Sequence, residues 1–240
     1  WAEDLANMLH LSNDAFADYA YGGATAREAR NDVAWQLNDY LQHAGADQNR
    51  GQHLYVLWAG ANDYMPGKGD PEQETEITIS SIEAHLETMV NKIHAQQILL
   101  ITLPDLSHTP LATLAGPEYT ATVGKEIALH NAKLAELVHK MQAKYPSVKF
   151  VLFDVLPIFN DAIGHPEHYG LRNTTEACYT GDAFMYSVLA DHRFDQLRTE
   201  SALSAAQACQ DPDQHLFWDR VHPTKLVHQI IAREVLKFIS

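Results

Sequence analysis

Three apolar runs set the frame of the chain. Residues 53–59 are apolar nearly throughout, and residues 97–103 and 148–154 are two further largely apolar runs. Such continuous runs predict parallel strands covered on both faces. A shorter run, Phe16-Ala17-Asp18-Tyr19-Ala20, predicts a brief strand ahead of a turn at Tyr21-Gly22-Gly23-Ala24-Thr25. Between these runs the period changes. Val33, Leu37 and Leu41 share one face of a helix over 26–43, and Ile82, Leu86, Met89, Val90 and Ile93 share one over 76–95. Residues 117–144 predict a long helix, a short one closes near Gly164, and residues 225–239 form the last. Strand and helix in alternation argue an α/β fold, a parallel sheet with helices on both faces. From 165 to 215 the pattern breaks, with short helices possible at 182–192 and 195–208. So long an irregular stretch in a compact domain is usually functional or mobile.

Composition narrows the class. The chain has 240 residues, 46% of them apolar, enough for one sizeable core. A net charge of −14 disfavours nucleic acid as a partner, and 14 His make that charge sensitive to mild acid. No apolar run is long enough for a transmembrane segment, and no signal peptide is visible. Trp1 falls inside a helical pattern, so the natural chain is expected to extend upstream. The two cysteines, Cys178 and Cys209, lie in the irregular stretch without zinc-ligand spacing. They are either two buried thiols or a disulfide, and their loop-like setting favours the disulfide. It would close a loop of about 30 residues, worth on the order of 3–4 kcal/mol, and would imply an oxidising compartment outside the cytosol.

Chemistry concentrates at Phe217-Trp218-Asp219-Arg220-Val221-His222-Pro223-Thr224. Asp219 stands three residues before His222, on a loop that enters the last helix. A carboxylate there can take the imidazole Nδ1–H, fix the tautomer and let Nε2 act as general base toward a hydroxyl nucleophile. The same residues also read as an ordinary helix start with Pro223 in its first turn. Ligands of open α/β sheets sit beyond the carboxyl ends of the strands, where two turns carry suitable groups. Gly23 can bring a backbone N–H close to a ligand, and Asn62 offers a side-chain amide. Two such donors aimed at one point make an oxyanion hole. Each is, taken singly, also an ordinary turn or cap.

Together these blocks resemble the GDSL/SGNH hydrolases. Tyr19-Ala20-Tyr21-Gly22-Gly23-Ala24-Thr25 is similar to the second block of that family, Gly60-Ala61-Asn62-Asp63 to the third, and Asp219-Arg220-Val221-His222-Pro223-Thr224 to the fifth. The likeness spans nearly the whole chain. It implies a three-layer α/β/α, flavodoxin-like sheet with strand order like 2-1-3-4-5. It also implies a single domain over 1–240 with a lid-like insertion, 165–215, before the C-terminal helix. Gly23 and Asn62 would be oxyanion donors, His222 the general base and Asp219 its orienter. Within the family, the wording around Phe217-Trp218, the Gly22-Gly23 block and the two late cysteines are most similar to secreted bacterial lysophospholipases and glycerophospholipid:cholesterol acyltransferases. That branch implies a secreted or periplasmic protein.

One block is missing. No serine of the chain lies in Gly-Asp-Ser or in Gly-x-Ser-x-Gly. Ser12 lies in a polar turn, Ser80 and Ser81 lie on a helix, and Ser107 alone follows a strand end. The family carries its nucleophile on a central strand just upstream of the segment matching Trp1. The expectation is therefore a serine, and a strand, supplied from upstream, retained as a separate peptide if cleaved.

The implied reaction is serine ester hydrolysis of a lysophospholipid or other lipid ester through an acyl-enzyme, without metal or cofactor. Phe184, Met185 and Tyr186, with Val188 and Leu189, would either line a lid over an acyl chain or pack as a satellite core. Three other readings share the residues: acyl transfer to a sterol, a carbohydrate or short-chain esterase, and a binding remnant without its serine. A metal site built on Asp219, His222 and His215 lacks the spacing of known zinc motifs.

Overall fold

The computed structural model describes residues 1–27, 31–43, 50–67, 69–181 and 207–240. They divide into two compact units. One comprises Trp1–Phe16, Asp105–Gly124 and Leu156–Ser240, the other Ala17–Pro104 and Lys125–Val155.

The second unit holds the parallel sheet. Strands β1 (Leu54–Leu57), β2 (Gln97–Ile101) and β3 (Lys149–Phe153) lie side by side in that order, all parallel. β2 is the central strand, and its Ile98, Leu99, Leu100 and Ile101 are almost wholly buried, as an unbroken apolar run requires. Helices α2 (Val33–His43) and α4 (Pro71–Thr88) belong to this unit, as does the length of α6 (Pro117–Lys144) beyond Gly124. Asp70 caps α4 by accepting from the backbone N–H of Glu72 and Gln73, with Pro71 at the first helical position. A single π turn, Met89–Ile93, extends α4 until His94 ends it at φ 63°. Ile82, Leu86, Met89 and Ile93 form the inward stripe, packed with Leu134, Leu137 and Met141 of α6 and with Ile98, Leu100 and Phe150 of the sheet. On the solvent side Lys133, Lys140 and Lys144 pair with Glu76, Glu83 and Glu87, so much of the helices' charge is matched locally.

Three expectations change here. The stretch 16–20 is not a strand. It forms no ladder, and Asp18 Oδ1 takes the Ala20 N–H at 2.8 Å, a local bond in its place. A strand without a neighbour has nothing to pair with. β1 is also not covered on both faces. Leu54 and Val56 are each about two-fifths exposed while Tyr55 and Leu57 pack on the core, because β1 is the edge strand among the described residues. Among the described residues the helix predicted over 26–43 begins at Val33, where Asp32 accepts the Trp35 N–H and Asn31 takes a left-handed φ of 60°.

The first unit is built on the C-terminal helix. α1 (Ala2–Met8) packs on α8 (Lys225–Ile239), which buries Val227, Ile230, Ile231, Ala232 and Val235. α5 (Pro110–Ala115) and α7 (Leu156–Gly164) belong to the same unit. The stretch read as irregular contains a small parallel sheet, β4 (Asn173–Ala177) beside β5 (His215–Phe217). Its strands hid in the sequence because Asn173-Thr174-Thr175-Glu176 carries no apolar alternation. Cys178 and Cys209 form a disulfide at the end of β4, across 31 residues of chain. Residues 182–206, with Phe184, Met185, Tyr186, Val188 and Leu189, lie outside the described residues.

The size of that loop sets an expected effect. Replacing both cysteines by serine should lower the unfolding free energy by about 2–4 kcal/mol, seen as a reduced midpoint in denaturant with a steeper slope, because the released unfolded chain exposes more surface. An unchanged midpoint would mean that the disulfide does not constrain the unfolded chain.

Candidate active site

The dyad turn grows directly out of β5. Leu216 and Phe217 are buried, and the chain then reverses so that Trp218 N–H bonds to His222 C=O at 2.8 Å and Phe217 bridges Pro223. Thr224, the residue before α8, donates its hydroxyl to His215 C=O and its N–H to Leu216 C=O, closing the loop. Asp219 sits at the tip. Its Oδ1 accepts the backbone N–H of Val221 at 2.8 Å and of His222 at 2.7 Å, an Asx turn. Its Oδ2 is 2.8 Å from His222 Nδ1. Burial opposes the ionised carboxylate, but the bonds from the His222 ring and from the two backbone N–H groups outweigh it and hold the Asp219 pKa below its ordinary value. An ionised Asp219 fixes the Nδ1–H tautomer, so Nε2 is the basic nitrogen.

The disulfide braces this turn. Cys178 N–H bonds to Phe217 C=O at 3.1 Å and Tyr179 N–H to Trp218 C=O at 2.6 Å. The Tyr179 ring stacks on Trp218 with centroids 5.4 Å apart. Trp218 is partly exposed beside that tyrosine. His215 Nδ1 lies 3.5 Å from Cys209 Sγ, but both thiols are spent in the disulfide, so Cys178, Cys209 and His215 do not form a metal site.

Gly23 and Asn62 come together within the second unit. Gly23 has φ 79°, a conformation that favours glycine. Asn62, just beyond the end of β1, donates one amide hydrogen to Ala24 C=O at 2.8 Å, one residue after Gly23, and keeps a second to offer. Asp63 fastens the same loop. Its fully buried carboxylate accepts from Ala26 N–H at 2.8 Å and Arg27 N–H at 3.1 Å, with Arg27 Nε at 3.4 Å. Burial pushes the Asp63 pKa up, while these N–H groups and the Arg27 charge pull against it. His85 Nε2 lies 2.7 Å from Ala26 C=O, and Arg27 reaches on to Thr78 and Glu74. The loop after Gly23 is therefore held by side chains of α3 (Ala61–Tyr64) and α4.

Beneath the Asn62 turn lies a buried polar group. Gly60 has φ 118°, and a Cβ there would come within 2.6 Å of His130 Cε1, so only glycine lets α6 approach. His130 Nδ1 pairs with Tyr64 Oη at 2.9 Å. Burial lowers the His130 pKa to about 4 and raises that of Tyr64 to about 12, so both are neutral at pH 7. Glu126, one turn before His130, is also buried, and burial together with the Glu74 charge raises its pKa to about 7 against the pull of Arg27. Among the described residues Glu126 Oε2 and His130 Nε2 have no hydrogen-bond partner.

Sequence reasoning named Asp219, His222, Gly23 and Asn62 but missed Asp63, Arg27, His85, Glu126 and His130. The i, i+4 spacing of Glu126 and His130 on a long helix was the available signal, since it puts both on one face. Ser107 belongs to a short turn capped by Asp105, with its Cβ close to Gly124.

The profile of the GDSL-like Lipase/Acylhydrolase family matches residues 1–235. The chain belongs to that family, and its parallel sheet and helices are those of the SGNH α/β hydrolase fold. It is 29% identical over 275 residues to a phosphatidylcholine-sterol acyltransferase of Aeromonas hydrophila, a match covering 100% of this chain and 78% of the relative. It is 28% identical over 249 residues to a thermolabile hemolysin of Vibrio parahaemolyticus, covering 99% of this chain and 54% of the relative. A GDSL esterase/lipase of Arabidopsis thaliana is 26% identical over 223 residues, covering 87% of this chain and 56% of the relative. The class is thus that of ester hydrolases and acyltransferases. Among the described residues no helix is long and apolar enough to cross a membrane.

Glu126 gives the local structure a pH signature. Its folded pKa, about 7, lies above the model-compound value of 4.5. Its favourable contribution is therefore full below about 4.5 and is lost as pH rises through about 7, by up to about 3 kcal/mol. Glu126→Gln should abolish this alkaline decline and leave the variant more stable than wild type above pH 7, as read by denaturant midpoints against pH. Parallel curves for the two proteins would contradict it.

Proposed function

We propose that the chain is the larger part of a serine-dependent lipid ester hydrolase of lysophospholipase or phospholipase A type. The observation that carries this reading is the 2.8 Å Asp219–His222 Nδ1 contact on a turn locked by two further bonds to the same carboxylate. It is the arrangement that a general base for an alcohol nucleophile needs. His222 takes the proton of the attacking serine and returns it to the leaving alcohol. Gly23 N–H and the second Asn62 amide hydrogen receive the oxyanion, each worth a few kcal/mol in the transition state. Water then releases the acyl group from the enzyme.

The nucleophile is assigned to a serine upstream of Trp1, on a segment that completes one domain spanning 1–240 with residues 165–215 as its lid-like insertion. Two features favour a strand beside β1 as that segment. Leu54 and Val56 of the edge strand are exposed apolar residues, and residues 16–20, read as a strand in the sequence, form no ladder among the described residues. Lipid rather than sugar esters are favoured by the full-chain likeness to a phosphatidylcholine-sterol acyltransferase. That likeness also favours a second reading, acyl transfer to a sterol by the same residues. The disulfide favours an extracellular or periplasmic location.

The full-length protein should be labelled by a fluorophosphonate ester on a single serine, in a Gly-Asp-Ser peptide identified by mass spectrometry. It should release fatty acid from lysophosphatidylcholine faster than acetate from acetylated sugars, and adding cholesterol tests the transfer reading. No adduct on any serine would leave a binding protein in place of an enzyme. An adduct with preference for acetylated sugars would move the substrate to carbohydrate esters.

A further inference from the structure

A second cluster of chemistry lies in the first unit, on residues the hydrolytic reading does not use. α7 ends at Gly164, and Pro166–Tyr169 follows as one 3₁₀ turn, pinned by His165 N–H to Asp161 C=O at 2.7 Å and His168 N–H to His165 C=O at 3.0 Å. In a 3₁₀ turn residues three apart eclipse one another. The His165 and His168 imidazoles therefore stack, with centroids 5.0 Å apart and planes 20° from parallel. Glu167 Oε1 lies 3.6 Å from His165 Nδ1, and Asp161 Oδ2 lies 3.2 Å from His168 Nδ1. One ligand atom from each of His165, Glu167 and His168 falls within 4.8 Å of the other two.

We propose that His165, Glu167 and His168, with Asp161 behind His168, bind a divalent transition-metal ion of the zinc type. Two imidazoles and a carboxylate are a donor set for zinc and its neighbours, whereas calcium and magnesium take oxygen ligands. Bonds of about 2.0–2.2 Å draw such atoms closer together than they stand here. All three side chains are exposed, so that movement needs only side-chain rotation. Asp161 occupies the place of the outer carboxylate that orients a metal-bound imidazole and raises its basicity. The carboxylates of Asp161 and Glu167 also balance the charge of a divalent ion without a further anion. Bound there, the ion would clip the end of α7 to the turn that leads into β4. The site shares no residue with Asp219 or His222 and does not rest on the proposed hydrolysis.

The test uses the full-length protein, stripped with EDTA and titrated with zinc by calorimetry and with cobalt by visible absorption, near neutral pH. Wild type should take up one more equivalent than either His165→Ala or His168→Ala, and only wild type should gain thermal stability from that equivalent. Asp161→Asn should weaken the same equivalent by roughly 10–100-fold. His43→Ala, at an exposed histidine of α2, controls for scattered surface imidazoles and should bind as wild type does. All variants should melt alike in EDTA, which separates lost metal from lost fold. Equal stoichiometry and affinity in wild type, His165→Ala and His168→Ala would overturn the proposal. It would then leave two surface polar contacts, His165 with Glu167 and His168 with Asp161.

Discussion

The buried carboxylate of Asp63 is the constraint on which the Gly23–Asn62 arrangement of the second unit depends. A charge removed from water is tolerated only when hydrogen bonds replace the water. Asp63 finds them in the backbone N–H groups of Ala26 and Arg27, and the Arg27 guanidinium adds an opposite charge 3.4 Å away. Satisfying that carboxylate fixes the path of the loop that follows Gly23. It also fixes Asn62, the preceding residue, which bonds to Ala24 of the same loop. Gly60 completes the arrangement from below, because its missing side chain lets His130 pack against the backbone. Two donors from segments 39 residues apart in sequence are thereby held by one set of contacts, without a regular ladder between them.

The dyad turn uses the same device at smaller scale. Asp219 accepts two backbone N–H bonds as well as the His222 ring, so the orienter of the imidazole is itself oriented by the turn it closes. Thr224, Trp218 and the disulfide-bearing strand hold the two ends of that turn. In the role proposed for it, a base held in this way would need little reorganisation when a proton moves, which is what preorganised catalysis requires.

Much of this was legible in the sequence where periodicity or a short block carried it. The unbroken run at Ile98-Leu99-Leu100-Ile101 gave the central strand, and the stripe Ile82, Leu86, Met89 and Ile93 gave the inward face of the α4 region. Gly23, Asn62, Asp219 and His222 stood out because each belongs to a short block. Residues 16–20 misled because a strand is a property of a pair, and local apolarity does not report whether a neighbour exists. β4 escaped because Asn173-Thr174-Thr175-Glu176 pairs through backbone with little burial of its side chains. Asp63, His85, Glu126 and His130 escaped for another reason. Their importance comes from burial: the i, i+4 spacing of Glu126 and His130 puts them on one helix face but does not say that the face is inside, and Asp63 and His85 have no such spacing.

The most direct test is the separation of kcat from KM in the full-length protein acting on a lysophospholipid. An oxyanion donor acts only when charge develops on the substrate oxygen, so Asn62→Ala should lower kcat by about 10²–10³-fold and leave KM within a few-fold. His222→Ala should lower kcat at least as much. A rise in KM at unchanged kcat for Asn62→Ala, or full turnover without His222, would contradict the roles assigned to both residues.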